Sequence, residues 1–424
     1  MVTTPPTQGL LQISEIASAI GVSVDTIRRW HKKGLVKAIR DGRGNRVFDV
    51  AEVARAQAKY SGSSEVRPFT VLKHRRKTDY RSIELFAGAG GLALGLENAG
   101  LSHSLLVEFD KDAAATLTAN RPTWPVRCED ARSVDFKGVA AEIVTGGFPC
   151  QAFSYAGKQL GMSDVRGTLF FELARCISET RPKIAIGENV RGLIQHDRGR
   201  TLSTMVRVLR ELGYRVCAQL LRAQYLDVAQ KRERLIVMAV REDLDFPFVF
   251  PKERDYTVSL REALKDVPKS PGQSYPDSKK RIMKLIPEGG YWRDLPVALQ
   301  KEYLKGSFHL SGGKTGMARR LAWDEPSLTL TCAPAQKQTE RCHPEETRPL
   351  TIREYARIQT FPDSWRFTGS ISSQYKQIGN AVPVNMGYHI GRCVVSMLDG
   401  RFDPKTQIEV KGDGIIGVNR GLFD

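Results

Sequence analysis

The chain has 424 residues, 41% of them hydrophobic and 26% charged, with a formal net charge of +17 and a sequence pI near 9.6. That length allows two or three domains around a large core, and the basic excess points to a polyanion such as nucleic acid. Seven cysteines without a Cys-x-x-Cys pair argue against a zinc site or a disulfide framework, and neither a signal pattern at Met1–Pro5 nor an apolar run of membrane-spanning length is found, so a soluble protein of a reducing cytoplasm is expected.

Residues 1–60 form a separable unit. Ser14 is placed to cap a helix carrying Ile16, Ala17 and Ile20 on one face. Gly21 and Val22 make a turn, and Ser23 caps a second helix with Ile27 and Trp30 inward and Arg28, Arg29 and Lys32 outward. Helix, glycine turn and helix at this spacing is a helix-turn-helix pattern. The run Arg40 to Arg46, with Arg43 between, then reads as a basic hairpin tip before a helix from Asp49. The segment resembles the winged helix-turn-helix of the MerR and excisionase type, which implies DNA contacts from Arg28, Arg29, Arg43 and Arg46. Residues 61–79, with Ser61-Gly62-Ser63-Ser64 and the basic run Lys73 to Lys77, read as a flexible linker.

From Ile83 the sequence alternates apolar runs (Ile83–Phe86, Leu105–Phe109, Ile143–Thr145, Ile184–Gly187, Leu235–Val240) with helical stretches, predicting βαβ units and a mostly parallel sheet over 80–245. The rhythm fails after about Phe246. Residues 246–347, rich in Pro, Gly and Lys, read as a smaller inserted domain. A helix over Thr351 to Gln359 opens a return segment, 348–400, and 401–424 reads as a tail.

Glu84 to Leu92 follow the first strand and open a helix, and Gly88, Gly90 and Gly91 allow a tight turn and close approach of a ligand. Glu108 ends the next strand, suited to ribose hydroxyls. Gly88-x-Gly90-x-x-Ala93 alone also fits an NAD fingerprint, so these residues say only that a nucleoside cofactor binds. Further on, Gly146-Gly147-Phe148-Pro149-Cys150-Gln151 sets a thiol in a rigid turn where proline forbids continuation of a central strand. Glu188-Asn189-Val190 brings a carboxyl some 40 residues later. A thiolate that adds to C6 of cytosine, with an acid that protonates N3, makes C5 nucleophilic; Cys150 and Glu188 are the two parts that this chemistry needs.

On these motifs the chain resembles the DNA cytosine-C5 methyltransferases from about Tyr80 to Leu398. The likeness implies a Rossmann-like, S-adenosylmethionine-dependent α/β fold with a smaller target-recognition domain, beside the N-terminal winged helix-turn-helix. It implies that Phe86 stacks on adenine, Glu108 holds the ribose and Asp130 takes the adenine amino group, although Glu129 replaces the family's usual glycine before that aspartate. Leu92, Phe109, Pro149 and Leu169 are assigned to the same pocket, as are Asn380 and Ala381 in Gln377 to Pro383. In Gln230-Lys231-Arg232-Glu233-Arg234 the likeness gives Arg234 contact with the target base and places Arg232 beside it in the catalytic set. The helix Arg353 to Gln359 resembles the one that organises the recognition domain. No Asp/Asn-Pro-Pro-Tyr/Phe string appears, which disfavours amino-group methyltransferases.

The resemblance implies methyl transfer to C5 of a flipped-out cytosine in a specific duplex, with no metal. Expected partners are double-stranded DNA, the protein's own promoter through the N-terminal unit, and a cognate restriction endonuclease. The expected location is a prokaryotic cytoplasm, at the nucleoid. Two alternatives stay open, a tRNA substrate and a transcription regulator in which catalysis is secondary. The target sequence has no readable code.

Overall fold

A computed structural model describes residues 9–60 apart from positions 21, 23, 33, 42 and 43, and then 69–148, 169–309, 314, 316–410 and 414–416. Two compact units divide the chain: Met1–Arg67 with Arg254–Tyr256, and Pro68–Glu253 with Thr257–Asp424.

In the first unit β1 (Leu10–Gln12), α1 (Ile13–Ile20), α2 (Val24–Lys32), β2 (Ala38–Arg40), β3 (Arg46–Asp49) and α3 (Val50–Tyr60) follow in order, and the strands pair antiparallel as β1-β3-β2. Ile16, Ala17, Ile27 and Trp30 meet Phe48, Val50 and Val53 in one small core, so α1 and α2 turn their apolar faces inward as their periodicity requires. Ser14 is not the cap of α1. It lies inside the first turn, because β1 runs on to Gln12, whose backbone N–H donates to Glu15 Oε2 at 2.9 Å. Asp49 does cap α3, accepting from Glu52 N at 3.0 Å.

The second unit contains β4 (Arg81–Leu85), α4 (Gly91–Ala99), β5 (Ser102–Glu108), α5 (Lys111–Asn120), β6 (Val126–Cys128), β7 (Ile143–Gly147), α6 (Leu169–Thr180), β8 (Ile184–Val190), α7 (Arg200–Glu211) and β9 (Tyr214–Arg222). There follow β10 (Gln230–Lys231), β11 (Glu233–Arg241), β12 (Phe248–Pro251), α8 (Leu260–Leu264), α9 (Asp277–Met283), α10 (Val297–Leu304), β13 (Ser327–Leu328), α11 (Ile352–Ile358), α12 (Ile371–Asn380), α13 (Val384–Asp399), β14 (Gln407–Val410) and β15 (Gly414–Ile416). Eight strands form the central sheet in the order β15-β9-β11-β8-β7-β4-β5-β6, parallel except for β11, which runs against both neighbours. Helices α6 and α7 cover one face and α4 and α13 the other, which is why the strands read as near-continuous apolar runs.

Three features depart from the sequence reading. Residues 69–79 do not hang free: Asn385 on α13 accepts from Leu72 N (2.9 Å) and donates to Thr70 O (2.8 Å), while His74 N and Thr78 N donate to Asn98 O (2.7 Å) and Gly100 O (2.8 Å). Strand β12, inside the segment read as the inserted domain, puts Phe248 and Phe250 into the core beneath α13. Its antiparallel partner is β14, and β15 joins the central sheet, so the residues read as a tail carry strands. Between α9 and Cys342 a separate core gathers Tyr275, Ile282, Met283, Trp292, Tyr303, Leu304 and Met317.

Candidate active site

Strand β4 feeds a turn in which Phe86 (φ 60°), Gly88 (φ 55°) and Gly90 (φ 83°) all take the left-handed region, and Gly90 begins α4. A Cβ built on Gly91 would stand 2.0 Å from Val382 O, so this turn packs backbone to backbone on the segment after α12 and beside buried Ala381. Glu108 ends the neighbouring strand and ties the turn down, its Oε2 accepting from Gly88 N and its Oε1 from Asp110 N, both at 2.7 Å. Leu92 is buried against α13, and Leu169 opens α6 against the main core. Phe109 is 73% exposed beside Glu108, and nothing stands within 4 Å of a Cβ built on Gly88. An open backbone turn, a fixed carboxylate and an uncovered ring fit a nucleoside.

Around this rim, Asp110 caps α5 and pairs with Lys376 of α12 at 2.9 Å; that ammonium holds its carboxyl below the usual range. Asp130 accepts from Arg132 N at 3.0 Å, and the turn after it is held by Arg175, which donates to Ala131 O (2.8 Å) and Val134 O (3.0 Å). Asn380 is exposed at the end of α12 and accepts from the Cys332 thiol at 3.0 Å. Beneath the turn Glu84 is buried, and burial pushes its carboxyl up to about 8; burial also pushes nearby His103 down to about 4.

Glu188 sits on β8 opposite Gly147 of β7, where a Cβ would come within 2.8 Å of Glu188 Oε2. The second glycine of the Gly-Gly pair therefore leaves room for the carboxyl. From β11, Arg234 Nε reaches Glu188 Oε1 at 2.6 Å, and the two side chains are 12% and 13% exposed. Asn189, buried, donates from Nδ2 to Phe148 O at 2.7 Å, and Phe148 packs on Phe170 with ring centroids 5.4 Å apart. The strand that carries the carboxyl is thus latched to the residue two before Cys150. Pro149 and Cys150 themselves lie outside the described residues.

Arg232 has a different environment from Arg234. It is 1% exposed and donates to Gly379 O (3.1 Å), Asn380 O (3.4 Å) and Leu330 O (3.5 Å), and burial, with Arg234's charge adding to it, pushes its guanidinium down to about 9. It holds backbone together beneath the site. Buried Gln230 and Gln359 join in, with Gln359 Nε2 donating to Ile378 O at 2.7 Å and Gln230 Nε2 to Gln359 Oε1 at 2.9 Å. Sequence reasoning gave no role to Asn189, Gly147 or Arg175; only the first two stood inside quoted motifs. In the N-terminal unit Arg28 and Arg46 are exposed, whereas Arg43 and the side chain of Arg29 fall outside the described residues.

The family model of the C-5 cytosine-specific DNA methylases matches residues 80–396. The chain belongs to this family. A second model, that of the MerR family regulatory proteins, matches residues 12–48, so this cytosine-C5 methylase carries a MerR-like helix-turn-helix ahead of its catalytic fold. It is 53% identical to the Type II methyltransferase M.Eco47II of Escherichia coli over 91% of this chain and 95% of that one. It is 51% identical to M.PspPI of Psychrobacter sp. (strain TA137) over 93% and 97%. Among solved structures, a DNA modification methyltransferase encoded within an E. coli prophage, described as putative in its title, shares the fold with TM-score 0.56 and 24% identity over 76% of this chain and 100% of that one. DNMT2 of Spodoptera frugiperda shares it with TM-score 0.54 and 17% identity over 75% and 100%. The chain is a DNA cytosine-C5 methyltransferase with a Rossmann-like α/β fold.

Proposed function

We propose that this methyltransferase works through Cys150, Glu188 and Arg234 on a cytosine flipped from duplex DNA, and that it belongs to a Type II restriction-modification system as its named relatives do. The observation that carries the reading is the Arg234–Glu188 pair at 2.6 Å, latched through Asn189 to the strand that leads to Cys150. The cytosine must leave the stack because C6 is out of reach inside it. Cys150 thiolate forms a bond to C6, the ring electrons move toward N3, and the Glu188 carboxyl delivers a proton there, which leaves C5 electron-rich. Arg234 fixes the carboxyl's orientation by holding one of its oxygens. S-adenosylmethionine supplies the electrophilic methyl carbon. Loss of the C5 proton then expels the Cys150 sulfur and restores the aromatic ring.

Phe86, Glu108, Phe109 and Asp130 are assigned to the nucleoside of that cofactor, and Gly88, Gly90, Gly91, Leu92, Leu169, Asn380 and Ala381 to its remaining wall. Residues 80–245 and 348–400 form the catalytic domain and 246–347 the recognition domain in this reading. The N-terminal unit binds an operator of the enzyme's own gene, a cognate endonuclease shares the target site, and the enzyme acts at the nucleoid.

Bisulfite sequencing of DNA from an expressing host tests the activity, with methyl transfer to tRNA measured beside it. Methylcytosine at one recurring duplex sequence and none in tRNA is expected; the reverse overturns the reading. Calorimetric titration with S-adenosylmethionine tests the pocket, and binding unaffected by both Phe86→Ala and Glu108→Ala would remove those assignments.

A further inference from the structure

Residues 331–340 leave the rim of the site as a loop built with unusual rigidity. Its root is stitched to the catalytic strands. Parallel strands β10 and β13 pair Gln230 with Ser327 and Lys231 with Leu328, Thr329 Oγ1 donates to Lys231 O (2.8 Å), and Leu330 N donates to Gln230 Oε1 (2.9 Å). Arg232 adds its bond to Leu330 O, three residues along the chain from the Arg234–Glu188 strand position 235 and two from Arg234 itself. At the loop's first turn the Cys332 thiol donates to Asn380.

The far side is braced from a buried polar cluster. Arg341, 5% exposed, donates through Nε (3.0 Å) and Nη2 (2.6 Å) to Thr329 O and closes the loop across its neck, while its N–H donates to Pro334 O (3.0 Å). Glu340, fully buried, takes Tyr303 OH (2.9 Å) and Lys279 Nζ (2.5 Å), and the same ammonium donates to Ala335 O (2.7 Å). Thr331 Oγ1 and Thr339 Oγ1 lie 3.2 Å apart inside the loop.

Buried ion pairs contribute little net stability because desolvation offsets their attraction, so such a brace is explained by the geometry it enforces. What it presents is a tip where Gln336 and Gln338 are exposed. Gln336 Oε1 accepts from Thr339 at 3.5 Å, whereas the Gln338 amide makes no hydrogen bond among the described residues. A rigidly held, unengaged carboxamide at the edge of a DNA-methylating site offers one donor group and one acceptor in a fixed plane. That is the pattern which matches a purine's N7 and exocyclic group in the major groove.

We propose that Gln338 reads one purine edge next to the target cytosine, and that the Arg341–Glu340–Lys279 brace exists to hold it in register. The proposal rests on the activity proposed above and names one determinant of its sequence preference.

The test is methylation of a randomised duplex library followed by bisulfite sequencing, for the full-length wild type, Gln338→Ala and Gln338→Glu. Gln338→Ala should lose preference at one base pair, with discrimination there falling roughly 5- to 150-fold, the equivalent of the 1–3 kcal/mol carried by a bidentate base contact. Other positions of the consensus and the affinity for S-adenosylmethionine should be unchanged. Gln338→Glu, which only accepts, should shift preference at the same pair toward a cytosine amino group. An unchanged consensus, or an equal loss on all sequences, overturns the proposal. A wild type that methylates no duplex would overturn the enzymatic reading instead.

Discussion

Glu188→Gln isolates the proton from the shape. The amide has the same outline, so it still fits beside Gly147, and its oxygen still accepts from Arg234 Nε across the 2.6 Å contact. It cannot deliver a proton to N3. General acid catalysis contributes about 10²–10⁴ in rate, or roughly 2.7–5.5 kcal/mol of barrier at 1.36 kcal/mol per tenfold, so kcat should fall by that factor. The structural cost is smaller. Both side chains are about seven-eighths buried, and exchanging a charge-assisted hydrogen bond for a neutral one costs on the order of 1–2 kcal/mol, a Tm loss of only a few degrees in a unit this size. The cofactor pocket is tied together separately through Glu108, so affinity for S-adenosylmethionine should stay the same. Single-turnover transfer of labelled methyl, calorimetry and thermal melting on one preparation separate these effects. A kcat within twofold of wild type would show that the carboxyl is only structural. A kcat loss matched by equal loss of cofactor affinity or by a collapse in Tm would show that the variant fails for want of folding.

Two further perturbations follow from other parts of the fold. Removing residues 1–66 should leave transfer to target DNA intact while abolishing protection of an operator fragment. Extending the deletion to residue 78 also strips the bonds that Thr70, Leu72, His74 and Thr78 make to the catalytic body. At about 1 kcal/mol each these should lower Tm markedly, and equal melting of the two truncations would refute the strap. Glu84→Gln tests the buried carboxyl. Its folded pKa of about 8 lies above the ordinary 4.5, so the folded state binds the extra proton and the wild type loses stability as pH rises between those values. The variant should therefore gain on the wild type from pH 5 to pH 8; a difference independent of pH, read from parallel urea titrations, would contradict it.

What could be read from the sequence followed how locally each feature is determined. The cores of β4, β5, β7, β8 and β11 are apolar runs buried on both faces, and they stood out. Strand β9 was not anticipated because Arg215, Gln219 and Arg222 interrupt its apolar residues, and β6 is three residues at the sheet's edge. Segment 69–79 looks like a charged linker, since its anchors are backbone groups bonded to Asn385, Asn98 and Gly100, which no local pattern reveals. Arg232 and Arg234 look equivalent at a spacing of two. The ladder is broken between β10 and β11 at residue 232, so alternation does not carry across it, and one arginine goes to Glu188 while the other is buried among carbonyls. The Asn189 latch is a contact over 41 positions and belongs to the tertiary fold alone.

The central claim is that Cys150 bonds covalently to C6 of the target cytosine. DNA in which that cytosine is 5-fluorocytosine cannot lose its C5 substituent after methyl transfer, so it should arrest the enzyme with the sulfur still attached. Incubation of such a duplex with enzyme and S-adenosylmethionine, followed by denaturing electrophoresis and peptide mass spectrometry, reads the bond directly. The account predicts a denaturation-resistant complex on the peptide containing Cys150, dependent on the cofactor and absent from Cys150→Ala. A complex that persists in Cys150→Ala, or that maps to another residue, would contradict it.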